Sequence, residues 1–450
     1  MAPLVFKTSG TGDPRPVGSI PATSATEGRR PSDRFRGPCP RVPGRGVPTG
    51  DNGAVIPRRP SVAHRTASLV VALATVGVGA LVGAGPVGAA KVAGDPVVVQ
   101  FANLGATSST LPAAQGAKAA VAWVNANGGI GGRPLKLVTC ATDTSAEQGK
   151  ACVDRAVAEK PTAVLAVQPG GVADNLAALT AAGIPYVGQT CNTNATASGQ
   201  FASFCFGSDF VGLYTSAAGY LKGLGTVKKV ALPYPGVPAA STGVKAYGVP
   251  TFTRAGIAPT EVPIPDGTTD LAAVVTPMYA ANPDAVVGLL NGPACLATMK
   301  ARGTRTSPLV LPALCSDPEL LADAGTAAVG SLFVRQTLTV DPADPDVKAY
   351  TKAMQRWAPR TDRADVYAQA GFAAVANLTT VQRTITGAAV DAAGTLAALR
   401  AAKAVHLFLG GGTTATCDGT AYPGLKALCS VQAHVVAYDG KGRFTDKGPF

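Results

Sequence analysis

The stretch that decides the fold runs from Asp95 to Asp143: DPVVVQFANL at 95–104, an Ala-rich segment, NGGIGGRPLKL at 127–137, and a closing Asp143. Val97, Val98, Val99, Phe101 and Leu104 form an apolar run of the kind buried on both faces of a parallel sheet. The segment from Pro112 to Asn125 has the length and composition of a packed helix. Strand, helix and strand predict a right-handed βαβ unit. Gly128, Gly129, Gly131 and Gly132 supply a turn that tolerates positive φ, and Ile130 is placed to plug it into the core. Arg133-Pro134 then launches a strand over Leu135 to Cys140.

The same rhythm continues along the chain. Thr144-Ser145-Ala146-Glu147 matches a capping box opening a helix to Ala158, with Val153 and Val157 on one face. A strand is expected over Thr162 to Val167, a helix over Val172 to Ala182, and a short strand at Ile184 to Val187. After Asp209 follow a helix to Gly223, a strand at Val227 to Leu232, helices at Ala240 to Ala255 and Asp270 to Ala281, and a strand at Ala285 to Leu290. Asp317-Pro318-Glu319 opens another helix with Pro in its first turn. Leu332 to Leu338 reads as a strand, Asp344 to Trp357 and Ala364 to Arg383 as long helices, and Ser430 to Tyr438 as a final strand before a polar tail.

The first 90 residues differ from this pattern. Met1 to Pro60 is rich in Pro, Gly and Arg without an apolar period, so residues 1–66 are expected to form a disordered leader. Ala67 to Ala90 carries no charge, follows Arg58, Arg59 and Arg65, and ends in small residues, the layout of a secretory signal cut near Ala90. Its position deep in the chain suggests a true start at Val55 or Val62. A retained membrane anchor is the rival reading, since 24 uncharged residues can span a bilayer. The leader through Thr66 holds 11 Lys/Arg against 4 Asp/Glu, leaving only +5 of the chain's formal +12 for the remainder. No basic cluster with interleaved aromatics occurs after Lys91, which excludes a nucleic-acid partner.

Cysteine usage agrees with export. Beyond Cys39 in the leader there are eight, and eight allow 105 pairings. Sequential neighbours are the economical choice: Cys140 with Cys152, Cys191 with Cys205, Cys295 with Cys315, and Cys417 with Cys429. Metal ligation is disfavoured because no C-x-x-C occurs and only His406 and His434 lie beyond the signal, so neither metal nor cofactor is expected. Catalysis is disfavoured as well. There is no G-x-S-x-G elbow, P-loop or H-E-x-x-H, and the Gly-rich block precedes a strand rather than following one, unlike a dinucleotide fingerprint. His406 and His434 sit among apolar neighbours without a matched nucleophile.

The Asp95–Asp143 block resembles the start of a periplasmic-type solute-binding protein of the branched-chain amino acid and amide class, and the order of elements follows that family to Asp439. The resemblance implies an α/β fold of two doubly wound Rossmann-like lobes joined by a three-segment hinge. The 360 residues from Lys91 exceed what one core usually holds, which agrees with two lobes. Lobe one would hold 95–208 plus 336–428, lobe two 209–335 plus 429–450, with crossings near Ser208, Arg335 and Cys429. It further implies an exported monomer, periplasmic, extracellular or at the cell surface, that delivers a small solute to an ABC transporter permease in the membrane. A surface protein held by Ala67 to Ala90, sensing a ligand or structural, is the alternative.

Ligands of open α/β sheets sit beyond the carboxyl ends of strands. That rule selects Gln168, Gly170, Gly171, Thr190, Asn192, Tyr234 and Asn291 as candidate ligand-binding residues. Gly170 and Gly171 would offer helix N-terminal amides to a carboxylate, Thr190 and Asn192 side-chain hydrogen bonds, and Tyr234 an aromatic wall. Each also reads as an ordinary loop residue, Gly for turns and Asn for caps. Amino-acid-binding members place Ser where this chain has Gly170, Thr at Asn192, Tyr near Ala239 and an acidic residue near Ala313. Without a carboxylate at Ala313 an ammonium would be desolvated unpaired, so a small amide, carboxylate or other modestly polar metabolite is expected rather than a branched-chain amino acid.

Overall fold

Alternate side chains of strand β1, Val97–Leu104, enter opposite cores: Val97, Val99 and Phe101 on one side, Ala102 on the other. Both faces are therefore covered, as the apolar run requires. The computed structural model describes residues 92–450 apart from 106–110, 144, 192, 209 and 387–388. These belong to one unit, Val82–Phe450. The expected leader and signal segment lie outside the described residues.

Strands β2 (Leu135–Thr142), β3 (Val164–Ala166), β4 (Tyr186–Cys191) and β5 (Ser203–Ser208) join β1 in a parallel sheet ordered β2-β1-β3-β4-β5. A second sheet holds β6 (Lys229–Pro235), β7 (Ala258–Ile264), β8 (Ala285–Val287), β9 (Leu309–Pro312) and β10 (Leu332–Arg335). A short antiparallel pair, β11 (Val405–His406) and β12 (Thr414–Ala415), precedes β13 (His434–Tyr438) and β14 (Phe444–Pro449). The second sheet runs β14-β13-β10-β9-β8-β6-β7, parallel through its first five strands in chain order and antiparallel at β13 and β14. From β6 to β10 it repeats the strand order of the first sheet, although no repeat is visible in the sequence. Two doubly wound α/β sheets with this order constitute a type I periplasmic-binding fold.

The Gly-rich turn forms as its composition dictates. Gly128, Gly129, Gly131 and Gly132 all have positive φ, Ile130 is fully buried, and Ile130 and Arg133 exchange backbone hydrogen bonds of 2.9 and 3.0 Å. Helix Leu111–Ala126 packs against helix Val366–Gln382 at reciprocal glycines. A Cβ on Gly116 would strike the Ala368 carbonyl, and one on Gly371 the Ala113 carbonyl, so only glycine permits this approach. These helices contribute Trp123 and Phe372 to an aromatic cluster completed by Tyr350 and Phe408.

Several elements depart from the sequence expectation. The helix after β2 spans Ala146–Glu159 and is capped by Ser145, whose Oγ accepts from the Gln148 N–H at 3.2 Å; Thr144 of the expected capping box lies outside the described residues. The helix expected over Val172 to Ala182 divides into a 3₁₀ segment, Gly170–Asn175, and an α-helix, Leu176–Ala181. That expected over Ala240 to Ala255 contains a π segment, Val244–Gly248. The expected polar tail is strand β14, an edge strand whose alternation of half-buried and exposed residues leaves Asp446 and Lys447 at its middle. Strands β5, β7 and β9 and helices Gly292–Arg302 and Ala392–Ala401 are additional to the expected elements.

Among the described residues four disulfides join Cys140 to Cys152, Cys191 to Cys205, Cys295 to Cys315 and Cys417 to Cys429. Three lie with the first sheet's cores and one with the second's.

Candidate functional site

Where the carboxyl ends of β3 and β4 face those of β9 and β10, a cleft opens with about 820 Å³ of space between its walls, part of it open to solvent. Gln168 and Thr190 line it from the first sheet, Ala313, Gln336 and Thr337 from the second sheet and its exit, and Tyr367 from helix Val366–Gln382. This is the location the strand-end rule selects.

Asn103 sets the first wall. Its Oδ1 accepts from the backbone N–H groups of Val167 at 3.2 Å and Gln168 at 2.6 Å, fixing the chain as it leaves β3. Gln168 Nε2 then donates to the Tyr367 hydroxyl at 3.0 Å. Thr190 Oγ1 donates to the Val167 carbonyl at 3.2 Å, and Gln189 Oε1 accepts from Asn377 at 3.2 Å. On the facing wall Thr337 Oγ1 donates to Gln369 Oε1 at 3.3 Å, and Gln336 Nε2 donates to the Ser208 carbonyl. Gln336 Oε1 is buried without a hydrogen-bond partner. That oxygen packs beside β5, where a Cβ on Gly207 would strike it. Among the described residues the lining carries no charged side chain.

The other sequence candidates sit elsewhere. The Gly171 N–H donates to the Asp143 carbonyl at 3.0 Å, and a Cβ there would collide with the Ser145 carbonyl. This glycine therefore serves close packing on helix Ala146–Glu159, and its amide is not available to a carboxylate. Gly170, with φ +54°, turns the chain against the Asp143 carbonyl and Thr142. Tyr234 is buried in the second sheet's core, its hydroxyl donating to Glu261 at 2.9 Å; burial foremost, then Glu261, pushes its phenol above the usual range. Asn291 caps helix Gly292–Arg302 through Oδ1, which accepts from the Ala294 N–H at 3.4 Å. Asn192 lies outside the described residues. Of the candidates described, the cleft brings together Gln168 and Thr190. Gln336 and Thr337 escaped sequence reasoning because they fall inside the strand expected over Leu332 to Leu338, which ends at Arg335, and Tyr367 because it lies in the first turn of a helix.

The histidines make structural ties. His406 Nε2 lies 2.7 Å from Asp346. His434, 2% exposed, places Nδ1 2.9 Å from Asp446 and Nε2 3.0 Å from the Gly410 carbonyl.

Two α/β bodies with an open cleft between facing strand ends define a ligand-binding receptor. The family model described as periplasmic binding protein matches residues 99–427, and the chain belongs to that family. In three dimensions it is similar to an extracellular ligand-binding receptor from Verminephrobacter eiseniae, with TM-score 0.63 and 19% identity over 78% of this chain and 100% of that one. It is similar to an ABC transporter solute-binding protein from R. palustris in complex with 4-hydroxybenzoate, with TM-score 0.63 and 17% identity over 79% and 97%. A branched-chain amino acid transporter substrate-binding protein from Streptococcus pneumoniae in complex with isoleucine gives TM-score 0.61 and 19% identity over 79% and 99%. No curated protein sequence matches the chain. Among the described residues no helix is long and apolar enough to cross a membrane.

Proposed function

We propose that this chain is an exported solute receptor that captures a small, uncharged polar molecule in the cleft and presents it to the permease of an ABC transporter. The observation that carries this reading is the composition of the cleft wall. Gln168, Thr190, Gln336, Thr337 and Tyr367 offer hydrogen-bonding groups, while the described lining offers neither a cation for a carboxylate nor a carboxylate for an ammonium. Burying either ionic group of an amino acid against such a wall is costly. A primary amide, with one carbonyl acceptor and two N–H donors, or a urea, with four, matches glutamine and hydroxyl partners without that cost.

The hinge supports the same reading. Ser208, Gln336 and Val431 mark three passages of chain between the sheets, and all three converge on Gly212, where a Cβ would lie 3.1 Å from Ser208 Oγ and 3.5 Å from both Gln336 Nε2 and the Val431 carbonyl. Closure of the bodies about that point would enclose the guest.

A thermal-shift panel tests the proposal. Amides and ureas are expected to raise Tm in a saturable way, by about 2.7 kcal/mol of stabilisation at 100 times Kd, and leucine and isoleucine are not. Stabilisation by the zwitterions alone would refute the neutral-solute assignment, and a response from no class would refute the receptor reading in this cleft.

A further inference from the structure

Val334 on β10 and Gln336 just beyond it line the cleft, whereas Arg335 between them lines a different cavity. Arg335 is only 4% exposed. No described carboxylate lies within ion-pair distance of it, and its Nε has no hydrogen-bond partner. Its guanidinium lies over the Phe444 ring at 5.1 Å, and burial holds its pKa down to about 10.

A buried charge without a counter-charge is expensive, and it persists in a fold when something else supplies the opposite sign. The two acids flanking the cavity do not. Asp317 Oδ1 accepts from the N–H groups of Glu319 and Leu320, and Asp365 Oδ1 from those of Tyr367 and Ala368, so each caps its own helix. Arg443 at the rim is already paired with Asp439 at 2.8 Å. The cavity, about 1150 Å³ and partly open to solvent, is walled by Pro318, Leu321, Val340 and Phe444.

We infer that this cavity is a second binding site, separate from the cleft, for a small molecule bearing one carboxylate on an apolar body. The carboxylate meets the planar Arg335 guanidinium, whose paired N–H groups match its two oxygens. The apolar body lies against the aliphatic wall and the Phe444 ring. One unpaired cation selects a monoanion, since a second negative charge would be buried uncompensated in turn. Ala364, from the loop joining helices Pro345–Trp357 and Val366–Gln382 on the first body, and Ser316, from the second, both border the cavity, so an occupant touches both bodies.

The experiment is a fluorine NMR titration with 4-fluorobenzoate on the full exported chain, comparing wild type with Arg335→Met, Ala322→Trp at the cavity rim, and Tyr367→Ala in the cleft. Saturable binding that Tyr367→Ala retains and that Arg335→Met and Ala322→Trp weaken by about tenfold or more is the expected result. Absence of binding to wild type, undiminished binding to Arg335→Met, or loss in Tyr367→Ala alone would overturn it. Should Arg335→Met fail to fold, Ala322→Trp decides: full affinity in that variant rejects the site. The cleft assignment is read separately by the amide panel, so either can fail without the other.

Discussion

Gln336 Nε2 donates a hydrogen bond to the carbonyl of Ser208, tying the chain's exit from the first sheet to its return from the second. These two residues are 128 apart in sequence, and both adjoin Gly212. Gln336→Ala would leave the Ser208 carbonyl unpaired, which costs about 1 to 3 kcal/mol when such a group is buried. Calorimetry should show a lowered Tm. Because Gln336 also lines the cleft, the amide response in the thermal-shift panel should weaken in the same variant.

Phe372 is fully buried and contacts three rings, edge-on to Tyr350 at 5.2 Å, stacked on Phe408 at 5.3 Å and tilted to Trp123 at 5.7 Å. Phe372→Ala removes the centre of that cluster and is expected to cost about 3 to 5 kcal/mol, read as a lower denaturation midpoint.

Asp365 caps helix Val366–Gln382 while half-buried, and burial pushes its carboxyl above the usual range despite the two N–H groups that donate to it. A carboxyl raised on folding contributes stability at pH below its unfolded pKa and loses that contribution as pH rises through the folded one. Asp365→Asn keeps a capping oxygen and removes the charge. Relative to wild type it should gain stability as pH rises from acid toward neutral, with little difference at low pH. Asp365→Ala loses the cap, about 1 kcal/mol. Melts across that pH range separate the two effects, and an Asn variant that tracks wild type at every pH would rule out the burial effect.

Cys295 and Cys315 are both fully buried and 20 residues apart in sequence. Replacing both by Ala is expected to lower stability by about 3 kcal/mol through release of the unfolded chain. Hydrogen exchange should show the loss as reduced protection of the amides that exchange through global unfolding, those of β8, β9 and helix Gly292–Arg302 among them.

Much of the fold was legible because its signals are local. The valine run of β1, the glycines around Ile130 and the Pro-initiated helix after Asp317 each state their conformation within a few residues. Strands β5 and β7 were less visible: SFCFGS and APTEVPI mix Gly, Ser, Pro and Glu into short parallel strands whose stability comes from neighbours. Strand β14 reads as tail because its sequence, FTDKGP, mixes charges with Gly and Pro on an edge. The site divides the same way. Gln168 and Thr190 follow from strand ends, whereas Gln336 and Tyr367 are held at the cleft by partners 128 and 199 positions away and Thr337 by Gln369 on another element, which no spacing rule encodes. Gly171 carried a helix-start signal, yet its amide is claimed by Asp143, a pairing visible only once β2 lies beside the 3₁₀ segment.

The placement of the disulfides has a mechanical consequence. Every cross-link closes a short local loop, with partners 12 to 20 positions apart, and none of the four stitches one body to the other. Oxidation thus toughens each shell by itself and would leave the proposed articulation between them unfettered. Reductants should shorten the lifetime of the protein without changing how widely its jaws swing.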